Sequence, residues 1–104
     1  MNMTISSHDG AYTVSVSGWL DTEAAPSLKE ELEKITEAKE IVLDFRDLEY
    51  ISSSGLRAVV QGYKNAKEMG AAFSILHVSD DVMEEFNLTN LNRKIDIRQD
   101  PVRD

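Results

Sequence analysis

The chain has 104 residues, with 19 acidic against 11 basic side chains for a formal net charge of −8, and 41% hydrophobic and 29% charged residues. That length holds one core, so a single domain spanning residues 1–104 is expected, and the mixture is that of a chain that folds on its own. The acidic field repels phosphate backbones and anionic head groups, which excludes nucleic acid and membrane surfaces as partners, and the absence of cysteine excludes disulfides, thiol catalysis and thiolate metal sites.

The opening MNMTISSHDG lacks a basic segment followed by an apolar one, and no apolar run reaches membrane-spanning length, so a cytoplasmic protein is expected. Met3 and Ile5 alternate with polar neighbours, as do Tyr12, Val14 and Val16. With His8-Asp9-Gly10 between them, the two runs predict a hairpin with one solvated face. After Gly18-Trp19-Leu20-Asp21, the residues Ala25, Leu28, Leu32 and Ile35 recur at helical spacing, with Asp21 or Thr22 as a cap and Pro26 near the first turn. Ile41-Val42-Leu43-Asp44-Phe45 is nearly continuous in apolar character, which predicts a strand in the middle of a sheet and covered on both faces. Leu56, Val59, Val60 and Tyr63 restore the helical period, with Gly70 placed to end the helix. Phe73 to Val78 predicts another buried strand, Ser79-Asp80-Asp81 caps a short helix carrying Val82 and Phe86, and Ile95 with Ile97 form a last strand. The order β-β-α-β-α-β-α-β, without repeat, linker or low-complexity tract, defines an α/β fold with a mixed sheet: parallel where strands alternate with helices, antiparallel at the hairpin.

The junction YISSSGLRAVV, residues 50–60, places three serines and a glycine between a strand-like and a helix-like run. Serine is a good N-cap and glycine permits a sharp backbone turn, so capping chemistry accounts for such a cluster. The same helix start also seats an anion well, because its N–H groups are unpaired and the dipole is positive there, and a phosphoserine fits without strain.

The segment IVLDFRDLEYISSSGLRAVV resembles the core motif of the anti-sigma factor antagonists and the wider STAS domain family, in which an apolar strand leads through a polar turn to Asp-Ser-Ser-Gly-Leu. Ser52, Ser53, Ser54, Gly55 and Leu56 match it, and Gly18-Trp19-Leu20-Asp21 is similar to that family's Gly-x-Leu-Asp before the first helix. The resemblance spans nearly the whole chain and implies a STAS-like fold. It also implies a regulatory binding protein in transcription control whose partner is an anti-sigma factor with protein-kinase activity. That partner phosphorylates the serine after the motif Asp, and phosphorylation breaks the complex. Transferred residue by residue, Ser53 is the phospho-acceptor, and Trp19, Asp21, Ser52, Ser54, Gly55 and Leu56 belong to the partner-binding surface. Two departures stand out: Ser52 occupies the place of the usual Asp, which leaves Ser52 and Ser54 as rival acceptors, and the C-terminal DIRQDPVRD is too short for the last helix many members carry.

No cofactor is implied, since ATP would belong to the partner. No metal site is expected, because neither His8 nor His77 has a second ligand at metal spacing. The chain lacks a phosphate-binding G-x-x-x-x-G-K-[ST] loop, a G-x-S-x-G elbow and the acidic pair that would make Asp44 a phospho-acceptor, so no enzyme activity is expected. The acidic runs Glu30-Glu31-Glu33 and Asp80-Asp81-Glu84-Glu85 read as solvated helix faces that also steer a basic partner. Trp19 fits a half-buried aromatic and an interface anchor equally well. The alternative function is a STAS-like subunit that binds a transport or signalling complex constitutively, with the serines serving as a cap alone.

Overall fold

The computed structural model describes residues 1–99. Residues 100–104, which hold most of the segment expected to be too short for a terminal helix, lie outside the described residues. Strands β1 (Asn2–His8) and β2 (Ala11–Leu20) form the expected antiparallel hairpin, in register from Asn2 opposite Ser17 to His8 opposite Ala11. Its two-residue loop is Asp9-Gly10, with φ of 49° and 86°. Positive φ at both central positions is what a tight hairpin turn matching the strand twist demands, and Asp and Gly tolerate it.

Helix α1 (Ala25–Glu33) follows, then β3 (Glu40–Asp44), β4 (Leu48–Ile51), helix α2 (Ser53–Glu68), β5 (Ala72–Leu76), helix α3 (Asp80–Leu88), a 3-10 turn at Leu91–Arg93 and β6 (Asp96–Ile97). The sheet runs β1-β2-β3-β5-β6, with β4 pairing separately to the C-terminal end of β2; every pairing except β1 with β2 is parallel. The α/β class and mixed sheet expected from the sequence are present. Two elements were not foreseen, β4 and the 3-10 turn.

The chain-order differences have local causes. Neither Asp21 nor Thr22 is the N-cap of α1; that position is Ala24, which supplies no side-chain bond, while the Asp21 Oδ1 accepts from the Ala24 N–H at 2.9 Å and so closes the turn before the helix. Pro26 sits in the first turn, where its missing N–H costs nothing. The helix stops at Glu33, and Ile35 is buried from the loop beyond it. Helix α2 ends as expected at Gly70, whose φ of 73° lets its N–H reach Lys67 O at 3.2 Å and the Ala71 N–H reach Ala66 O at 2.9 Å. Strand β5 ends at Leu76, short of the expected Val78, because His77 adopts a φ of 59°.

Burial corrects the expectation that β3 is covered on both faces. Ile41 and Leu43 are buried, whereas Val42 and Asp44 between them are only half-buried, and β5 alternates in the same way. From β2 to β3 to β5 to β6 each parallel connection steps one way across the sheet. Right-handed connections of that kind deliver every linking helix to the same face. One layer of helices therefore covers Val14, Val16, Leu43, Phe45 and Ile75 with Leu28, Val59, Val82 and Phe86, and the other face, with Thr13, Ser15, Asp44 and Ser74, stays partly open. β3 does lie mid-sheet, between β2 and β5.

Candidate functional site

The serine cluster sits where β2 and β4 end side by side and α2 begins. Leu20 and Ile51, the last residues of the two strands, are paired and buried, which fixes the backbone on which the cluster is built. Ser52 then leaves the strand with φ −90° and ψ 172°, an extended conformation suited to an N-cap. Its N–H donates to Leu20 O at 2.9 Å and its hydroxyl donates to the same carbonyl at 3.1 Å, while its Oγ accepts from the Gly55 N–H at 3.1 Å. Its carbonyl accepts from Leu56 N at 2.9 Å. Ser52 thus pins the start of α2 to the end of β2.

Ser53 is the first residue of α2 and is exposed, whereas Ser54 is half-buried. A strand does not continue through Ser53, and its hydroxyl has no hydrogen-bond partner among the described residues. Gly55 is buried and its role differs from the turn-forming one expected. It lies in regular helix, and a Cβ there would stand 2.7 Å from Leu20 O and 2.9 Å from Leu20 Cγ and Ile51 Cγ1. The glycine permits close approach of α2 to the ends of the strands. Leu56 is buried, 7% exposed, beside it.

Two grooves flank the helix start. Ser53, Leu56, Arg57, Val60 and Lys64 line one of about 500 Å³ that reaches Thr89 and Leu91 beyond α3. Ser54, Arg57 and Ala58 line the other, against Thr22, Pro26 and Lys29 at the start of α1. Neighbouring hydroxyls therefore face different surroundings.

Trp19 is 58% exposed and packs on Tyr50, itself 45% exposed, with ring centroids 5.2 Å apart and planes inclined by 44°. The pairing register shifts between Gly18 and Trp19, and Trp19 lies opposite Tyr50 across β2 and β4. Of the two readings of Trp19, the half-buried aromatic is set aside in favour of a surface aromatic pair. The pair lines neither groove, although Trp19 is bonded to Leu20, the residue that anchors Ser52. The structure thus joins Ser52, Ser53, Ser54, Gly55 and Leu56 in one turn, sets Trp19 at the adjacent strand end, and places Asp21 in the turn leading to α1. Tyr50 and Arg57 were missed by sequence reasoning. Tyr50 was legible as the residue preceding a buried Ile51, and Arg57 as the residue one helical turn after Ser53.

Elsewhere, His8 lies against Asp9 at 3.2 Å on the surface, and His77 Nε2 meets Arg46 Nη2 at 3.2 Å. Among the described residues no group of three or more His, Cys, Asp or Glu gathers as for a metal, and no helix is long and apolar enough to cross a membrane. The acidic side chains Glu30, Glu33, Asp80, Asp81, Glu84 and Glu85 are exposed.

The site is thus a capped serine cluster at the start of the longest helix, in a domain with a single helical layer on a mixed sheet. The sequence profile of the STAS domain matches residues 2–102, and the chain belongs to that family. The anti-sigma-B factor antagonist of Bacillus subtilis strain 168 is 26% identical over 98 residues, which is 93% of this chain and 90% of that protein. The crystal structure of an anti-sigma factor antagonist from Mycobacterium paratuberculosis superposes with a TM-score of 0.84 at 23% identity, over 93% of this chain and 84% of that one. The Bacillus cell fate determinant SpoIIAA, solved in its phosphorylated form, shares the fold with a TM-score of 0.75 at 15% identity, over 92% of this chain and 90% of that one.

Proposed function

We propose that this chain is an anti-sigma factor antagonist that docks an anti-sigma factor through the surface around the start of α2, and that the partner, acting as a protein kinase in the cytoplasm, ends the complex by phosphorylating Ser53. The observation that carries this reading is the exposure of Ser53 as the first residue of α2, immediately after the capping Ser52. A kinase must bring ATP to the hydroxyl, and an exposed hydroxyl on a rigid helix start is available to an incoming phosphoryl donor while the fold stays intact. Ser54 and Ser52 are poorer acceptors, the first being half-buried and the second engaged in two hydrogen bonds. The docking surface comprises Trp19, Asp21, Ser52, Ser54, Gly55 and Leu56: Trp19 supplies an exposed aromatic anchor, and Ser52, Gly55 and Leu56 hold the shape of the turn. Similarity to the Bacillus subtilis anti-sigma-B factor antagonist over nine-tenths of both chains supports the partner class.

The double hydrogen bonding of Ser52 favours a second reading, in which the serine cluster is a cap and nothing more, and the domain is a constitutive subunit of a transport or signalling complex. One experiment separates the two. Purified protein is incubated with ATP and any kinase-type anti-sigma factor encoded beside it, and the products are mapped by mass spectrometry alongside Ser52→Ala, Ser53→Ala and Ser54→Ala. Label on wild type that is lost only in Ser53→Ala supports the switch. Label that persists in Ser53→Ala and vanishes in Ser52→Ala or Ser54→Ala moves the acceptor by one position, and absence of label with retained binding supports the constitutive subunit.

A further inference from the structure

If Ser53 is modified as proposed above, a phosphate adds about 1.5 to 2 negative charges to the first residue of α2. Resting on that reading, we propose that Arg57 captures this phosphate within the helix, so that the modified form carries an intrahelical ion pair and the phosphate is held against the fold.

Ser53 and Arg57 are four residues apart in one continuous helix, a spacing that stacks side chains on the same face about 5–6 Å apart at their Cβ atoms. Both line the groove that leads toward Leu91, so their side chains border the same space. Both are exposed, and Arg57 has no hydrogen bond or ion pair among the described residues. No acidic side chain occupies the first turn of α2, so no carboxylate there competes with a phosphate for the guanidinium. An anion one turn N-terminal to a cation is the favourable order along a helix, and the planar fork of Arg suits two phosphate oxygens at once. Other donors along the groove are less well placed. Gln61 already donates to Asn65 Oδ1 at 3.0 Å, and Lys64 lies eleven residues from Ser53, roughly 16 Å along the axis. Phosphorylation then changes the surface around the helix start twice, by replacing a neutral hydroxyl with an anion and by engaging the exposed cation of Arg57.

The test uses full-length protein with phosphoserine installed genetically at position 53, so that no kinase is needed, in wild type, Arg57→Gln and Arg57→Lys. The second ionisation of the phosphate is followed by phosphorus NMR across pH. The pair predicts a lower second pKa in wild type than in Arg57→Gln, by about half a unit, with Arg57→Lys between them. It also predicts that phosphorylation raises the melting temperature more in wild type than in Arg57→Gln, while the unmodified forms of the two melt together because Arg57 is exposed. Equal second pKa values in wild type and Arg57→Gln overturn the pair and leave the proposed function standing. A kinase that never labels Ser53 defeats the proposed function instead, and the titration of the installed phosphate remains readable.

Discussion

Ser52 uses one hydroxyl as donor and acceptor, toward Leu20 O on one side and the Gly55 N–H on the other, so its removal has a calculable cost. Ser52→Ala is expected to lose about 1–2 kcal/mol in urea denaturation, the sum of a lost N-cap and a lost bond to a strand-end carbonyl. Ser52→Asp restores the residue usual in the family motif and can still accept from Gly55, but it cannot donate to Leu20. Because the Ser52 N–H continues to satisfy that carbonyl, and a negative charge is favoured by about 0.3–1 kcal/mol at a helix start, its stability is expected within about 1 kcal/mol of wild type. A faster phosphorylation of Ser52→Asp would then report recognition and not folding. Gly55→Ala is the harsher change. Its Cβ would stand 2.7 Å from a backbone oxygen that the Ser52 bonds hold in place, and a loss of about 1–3 kcal/mol is expected by the same denaturation, from overpacking alone.

At the scale of elements, β2 serves two partners in succession. Its residues Ala11–Ser15 pair with β3, and Gly18–Leu20 pair with β4 after a register shift at Gly18 and Trp19. Gly18 makes the change of partner possible with a φ of 81°, while its N–H donates to Asp47 O at 3.0 Å. The shift leaves Trp19 on the surface against Tyr50, and two predictions follow from that exposure. The free protein should show the long-wavelength emission of a solvated indole, moving to the blue when the anti-sigma factor saturates it; an unchanged spectrum would place Trp19 outside the interface. Trp19→Ala should keep the melting temperature within a few degrees and weaken partner binding by about 2 kcal/mol, close to thirtyfold, as measured by calorimetry. Loss of folding in that variant would assign Trp19 to the core after all.

For the whole molecule, the proposed docking site implies that binding and stability should be separable. The helix start tolerates negative charge, so Ser53→Asp should change the melting temperature by no more than a few degrees. Partner binding should fall by more than about tenfold, because a charge carried into an interface shaped for a hydroxyl loses its water there. Binding of Ser53→Asp as tight as wild type, measured under the same conditions, would favour the constitutive subunit over the switch. The net charge of −8 adds a second expectation: association with a basic partner should slow as salt is raised, since screening removes the long-range attraction.

Much of this was legible in the sequence, for physical reasons that are local. The turn at Asp9-Gly10, the helical spacing of Leu28 with Leu32 and of Leu56 with Val59, the glycine that ends α2 and the serine that caps α3 each reflect preferences acting over a few residues. The position of Ser53 at a helix start belongs to the same set. Other features depended on contacts between distant segments. The run Ile41 to Phe45 reads as a strand buried on both sides, because Val42 is apolar; whether a second layer covers it depends on the direction and hand of the crossovers. Strand β4 is four residues long and holds its place by pairing with β2 and burying Leu48 and Ile51 in the core, so its own pattern carried little signal. Gly62 looks like a helix-weakening residue until Leu32 of α1 is seen where its Cβ would be, and Gly55 looks like a turn residue until Leu20 and Ile51 are. The sequence alone determined every element but β4 and the 3-10 turn, together with the family resemblance and the serine at a helix start. Which faces are covered, why the glycines are needed and that Trp19 stands in water were decided by tertiary structure, because close packing and strand order are properties of residues far apart in the chain.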